Sequence, residues 1–186
     1  IVLIFSIAAL KTEMNFYEEI NKGVSQAEFI TSLNSASKAN IKISATVILG
    51  IGGEAYTYMH ISDSATVIKN DGQLAVKLQL GLADDVVGRF RKQFDDFQML
   101  DDYQILDEQK RFIELLQPSN KVIFRSNHAS NALHLAGTLP KDNPRLLQEL
   151  EVALTIGKDA LVPNNLEGFS QAKANNLNIF TKSSFY

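Results

Sequence analysis

The chain contains no cysteine, and that absence excludes more than any motif that is present. A disulfide framework, a thiolate zinc site, a cysteine nucleophile and an iron–sulfur cluster ligated from within this chain are all ruled out. Histidine is scarce as well: His60, His128 and His134 are the only three, and no H-x-x-x-H or H-E-x-x-H spacing joins them. No metal site is expected. Charge of one sign is lacking too, since the net charge is −3 with both signs dispersed. No basic stripe therefore points to nucleic acid, and no acidic block to a disordered tail. Neither a G-x-S-x-G elbow nor a glycine loop ending in Gly-Lys-Ser/Thr occurs. The acidic pairs Asp84–Asp85, Asp95–Asp96 and Asp101–Asp102 read as helix caps or solvated charge. The longest apolar run, Ile1 to Leu10, has no basic leader and falls short of the ~20 residues of a membrane span. It reads as a buried strand, so no membrane contact is expected and a cytoplasmic setting follows by default. Because it opens in mid-strand, the chain is expected to be a piece of something longer.

What remains is the composition of one soluble domain, 186 residues with 45% hydrophobic and 21% charged content. Its most informative stretch is Lys42 to Glu54, a β-branched run that ends in Gly50, Gly52 and Gly53. Such a pattern predicts a buried strand emptying into a glycine turn, either a tight strand-to-helix turn alone or a turn with a ligand pocket beyond it. A helix capped at Ser25 precedes this strand and another, over 56–70, follows it. A strand over 74–82, an irregular excursion over 83–100 and a helix capped by Asp101 or Asp102 come next, and Pro118 ends that helix. A short strand over 121–125 then feeds the polar loop Arg125 to Asn131, whose side chains either satisfy their own backbone or form a site. Asn143-Pro144 opens the last helix. The order predicts an α/β fold, a parallel sheet with alternating helices, over residues 1–156, with 157–186 as a loosely attached tail.

Asn21 to Val24, the strand and loop from Ser44 to Gly53, His60, and above all the block from Phe124 to Asp142 carry a family resemblance. Together they resemble the carboxyl-terminal half of a radical S-adenosylmethionine (radical SAM) domain of the elongator-protein/MiaB-like kind, over about Phe5 to Leu154. The resemblance implies part of a partial (β/α)6 TIM-like barrel. It implies an S-adenosylmethionine pocket against Val47, Leu49, Gly50, Gly52 and Gly53, with Arg125, Asn127 and His128 on the substrate side. In this family a Cys-x-x-x-Cys-x-x-Cys loop holds a four-iron cluster, so a [4Fe–4S] group is expected only if a missing amino-terminal half supplies the cysteines. Many relatives carry Gly-Leu-Glu-Ser-Gly-Ser after the preceding strand, where this chain has Ala8 to Glu13 and Leu10 takes the place of the acid. The expectation is a fragment or degenerate copy that is catalytically inactive as it stands, with an unknown substrate. The alternative is a non-catalytic α/β binding or protein-interaction module that self-associates or docks a partner through an exposed half-barrel.

Overall fold

The computed structural model describes residues 2–7, 26–69, 74–80, 88, 91–92, 97–127 and 131–161. Five strands lie side by side in chain order: β1 (Val2–Ile7), β2 (Lys42–Leu49), β3 (Leu74–Leu80), β4 (Val122–Ser126) and β5 (Leu135–Leu139). Four helices are interleaved with them: α1 (Gln26–Lys38), α2 (Gly53–Lys69), α3 (Asp102–Leu115) and α4 (Asn143–Ile156). The class is α/β, as expected. Strands β1 to β4 pair in parallel, whereas β5 runs antiparallel to β4, with Phe124 opposite Gly137.

Strand β5 departs from the expected order, in which β4 led directly to a helix. Its residues alternate, Leu135, Gly137 and Leu139 buried and Ala136 exposed, as a half-buried strand requires. A glycine at its centre weakens that signal in the sequence. The glycine gives the start of α4 a close approach, since a Cβ there would crowd Asp142 Cβ at 3.0 Å and Leu146 Cδ1 at 3.1 Å.

Local sequence sets the helix starts. Asp101 closes a capping box in which its carboxylate accepts from the Gln104 amide and the Gln104 side chain accepts from the Asp101 amide, each at 2.8 Å. Pro144 occupies the first turn of α4. The expected cap at Ser25, the segment Ala8 to Glu13 and the acidic pairs at 84–85 and 95–96 lie outside the described residues.

One apolar cluster joins all four helices to a single face of the sheet. Leu33, Ile61, Phe112 and Leu150 from the helices meet Ile43, Ala45, Val47 and Leu49 of β2 and Val122, Phe124, Leu135 and Leu139 of the β4–β5 pair. Parallel strands taken in sequential order, with right-handed crossovers, leave every connecting helix on the same side. Among the described residues no helix covers the second face, on which Ser44, Thr46 and Ile48 are half-buried, Ile123 is 44% exposed, and Arg125 and Ala136 are exposed. Among the described residues the sheet ends at β1 and β5 without closing. Beyond α4 a 3-10 turn, Gly157–Ala160, follows, and Ala160 and Leu161 pack against the core. Residues 162–186 of the expected tail lie outside the described residues.

Candidate functional site

Strand β2 leaves the sheet at Gly50, whose φ of +76° is open to glycine at little cost. The Gly53 amide closes a turn onto the Gly50 carbonyl at 3.1 Å, and α2 begins at once. Gly53 also has positive φ, +57°. The space that each missing Cβ leaves is taken by this chain's own atoms. A Cβ on Gly50 would meet Ile105 Cδ1 at 2.8 Å, one on Gly52 the Tyr56 backbone at 2.9 Å, and one on Gly53 the Gln98 carbonyl at 2.7 Å. Close packing against the 97–105 segment is therefore sufficient reason for Gly50 and Gly53, and close approach of the first turn of α2 for Gly52.

Helix α3 holds this turn from beneath. Glu108 is 1% exposed, and its carboxylate accepts from the Gly50 amide at 2.6 Å through Oε2 and from the Thr57 hydroxyl at 2.9 Å through Oε1. Burial pushes the Glu108 carboxyl up to about 7, against the opposing pull of these two donors. One turn nearer the start of α3, Gln104 donates to Glu54 Oε1 at 2.6 Å, and the Glu54 amide donates to the Gln98 carbonyl at 3.0 Å. His60, fully buried on α2, places Nε2 2.9 Å from the Ile48 carbonyl, a structural role at the end of β2.

Of the residues expected at a cofactor pocket, Val47 and Leu49 point into the helix-side core, at 0% and 1% exposure. Alternation along β2 gives the open face to Ile48 instead, the residue between them. Arg125 stands on the open face, where Nη1 donates to the Phe124 carbonyl at 2.8 Å and to the Gly137 carbonyl at 3.4 Å. Register aligns it with Lys77 of β3, and Lys77 with Thr46 of β2. Arg125 is thus level with Thr46 and two strands away from β2, a separation of about 10 Å, and does not meet the glycine turn directly. Asn127 is exposed, and His128 lies outside the described residues. Part of the polar loop satisfies itself, as Asn131 Nδ2 donates to Ser126 Oγ at 2.9 Å with both side chains buried.

Sequence reasoning missed Glu108 and Thr57. The signal was present, because Glu108 occupies a stripe position of α3 between Ile105 and Phe112, where a carboxylate must find buried donors. A shallow hollow of about 390 Å³ between Lys121 and Asp142 lies at the other end of β4 from Arg125 and contains none of the expected site residues.

A four-iron cluster does not fit the donors of this chain. No thiolate exists in the sequence, and among the described residues no three histidine, aspartate or glutamate side chains stand close enough to hold a metal ion. Among the described residues no helix is long and apolar enough to cross a membrane. Comparison with family models, curated proteins and solved structures finds no match to this chain.

Proposed function

We propose that the chain forms part of the wall of a radical SAM-type barrel and binds S-adenosylmethionine across the carboxyl edge of β2 without cleaving it on its own. One observation carries this reading: parallel strands in sequential order, with every described helix on one face of the sheet and none on the other. In single-wound β/α sheets ligands meet the carboxyl ends of the strands, and at that end of β2 lie Ile48 and the glycine turn. Ile48 offers an apolar surface for the adenine ring, while Ser44 and Thr46 supply hydroxyls along the same face. Arg125, whose partners among the described residues are carbonyls, presents a guanidinium suited to a carboxylate on the substrate side. Asn127 adds an exposed amide beside it.

Calorimetric titration of the whole chain with S-adenosylmethionine is expected to show saturable binding without release of 5′-deoxyadenosine. Ile48→Arg, which sets a charge on the open face without entering the core, is expected to abolish it. A chain that takes up no S-adenosylmethionine at millimolar concentration sinks this reading.

The exposure of Ile123 in the middle of β4 favours a second reading, in which the open face is covered by another polypeptide and the scaffold works as an interaction module. Sedimentation that shows self-association together with a silent titration selects this alternative.

A further inference from the structure

The glycine turn is held by a charge that lies out of reach of any ligand on the open face. Glu108 sits on the helix side of the sheet with its two carboxylate oxygens divided between two elements: the Gly50 amide at the exit of β2 and the Thr57 hydroxyl in the first turns of α2. Ile105, one turn earlier on α3, packs against the α-carbon of Gly50, so the same helix fixes both the position and the hydrogen bonding of the turn.

We propose that Glu108 is a positioning residue that regulates the ligand edge of β2: while charged, its carboxylate holds Gly50 and Thr57 together and keeps the turn in its binding shape, and protonation weakens that hold. What the edge binds rests on the S-adenosylmethionine reading; the clamp rests on the geometry alone.

The chemistry follows from donor and acceptor capacity. An ionised carboxylate only accepts, and each oxygen here faces a donor. Protonation turns one oxygen into a donor. The Thr57 hydroxyl can rotate to accept from it, but the Gly50 amide cannot, so its bond becomes an ordinary neutral one, roughly half as strong as a charge-assisted one. Among the described residues, ionisable side chains close in sequence to Thr57 and Glu108 on their two helices include Glu54, Tyr56 and His60 on α2 and Asp107 and Arg111 on α3. None of them contributes to the balance at Glu108, where burial opposes the two donors and the carboxyl titrates at about 7. The hold on the turn therefore changes within the physiological range.

The test follows the Gly50 amide in proton–nitrogen correlation spectra of the full chain between about pH 5 and about pH 9, with S-adenosylmethionine affinity measured over the same range. In the wild type the Gly50 amide shift is expected to titrate with a midpoint of about 7, and affinity to fall about tenfold toward the acid end, the equivalent of one charge-assisted bond weakened to a neutral one. Glu108→Gln is expected to flatten both profiles and to hold affinity at the wild-type acid value. Thr57→Val keeps the carboxylate but removes a donor to its charged form, and moves the midpoint upward. A Gly50 amide that does not titrate, or a Glu108→Gln chain that keeps the wild-type pH profile, overturns the proposal. If no form binds S-adenosylmethionine, the ligand reading falls while the Gly50 titration still decides the clamp.

Discussion

Glu108→Gln also exposes the energetic cost of burying this charge. Glu108 is 1% exposed, and burial raises its carboxyl from an ordinary 4.5 to about 7 although two hydrogen bonds favour the ionised form. In the unfolded chain the same group ionises at its ordinary value. Between 4.5 and about 7 the folded chain therefore holds more proton than the unfolded one, and stability falls as pH rises through that window. The loss amounts to about 3 kcal/mol and is complete once the pH passes the folded value. Glutamine has nearly the same shape and no charge to bury, so the substitution removes this slope and leaves those of all other groups in place. Urea denaturation of both proteins from about pH 5 to about pH 8 is the assay. The expected result is a variant that gains about 2.5 kcal/mol relative to the wild type between the two ends of the range. Parallel stability profiles would refute the reasoning, since they require Glu108 to ionise at its ordinary value in the folded chain.

Two further outcomes follow from the packing. Gly53→Ala forces alanine to φ +57° with its Cβ 2.7 Å from the Gln98 carbonyl, and is expected to cost about 2 kcal/mol or more. Gly50→Ala at φ +76° meets the terminal methyl of Ile105, a side-chain atom and not backbone, and costs about 1 kcal/mol; equal urea midpoints for the two variants contradict this account. Adjacent residues of β4 test the one-sided sheet: Phe124→Ala, at a fully buried position, should lose about 3–5 kcal/mol. Ile123→Ala, at 44% exposure, should lose less than about 1 kcal/mol, and a comparable loss at both positions means that the second face is covered.

Strands with β-branched runs between helix signals were legible because both elements are defined by local pattern. The strand expected over 42–49 coincides with β2, and the helix expected after Asp101 starts at that cap. Strand β5 was not legible, because Gly137 answers to a contact with α4 and not to strand propensity. The glycine turn was read at the right place but from one side only. The end of the strand marks where the turn begins, whereas its packing, in which Ile105, Gln98 and Glu108 fill the space, depends on residues some fifty positions later. Likewise the run Val47-Ile48-Leu49 gives no hint of which residues face the helices. Pairing and burial assign Val47 and Leu49 to the core and Ile48 to the open face.

The amino-terminal half of α3 is thus the element on which the edge of β2 depends. Gln104 holds Glu54, Ile105 packs on Gly50, and Glu108 ties Gly50 to Thr57. Three successive contacts from one helix leave the turn little freedom of its own, so a shift of α3 along the sheet must be felt at the exit of β2. Of the three, only the Glu108 contact carries a cost that glutamine would avoid while keeping an acceptor oxygen. Structure alone is satisfied more cheaply by the amide, because a neutral side chain fills the same volume without a buried charge. The extra strength of a charged acceptor goes to one backbone donor, Gly50, at the point where the chain leaves the sheet toward its open edge. A carboxylate at this position is therefore better explained by control of the turn than by the stability of the fold.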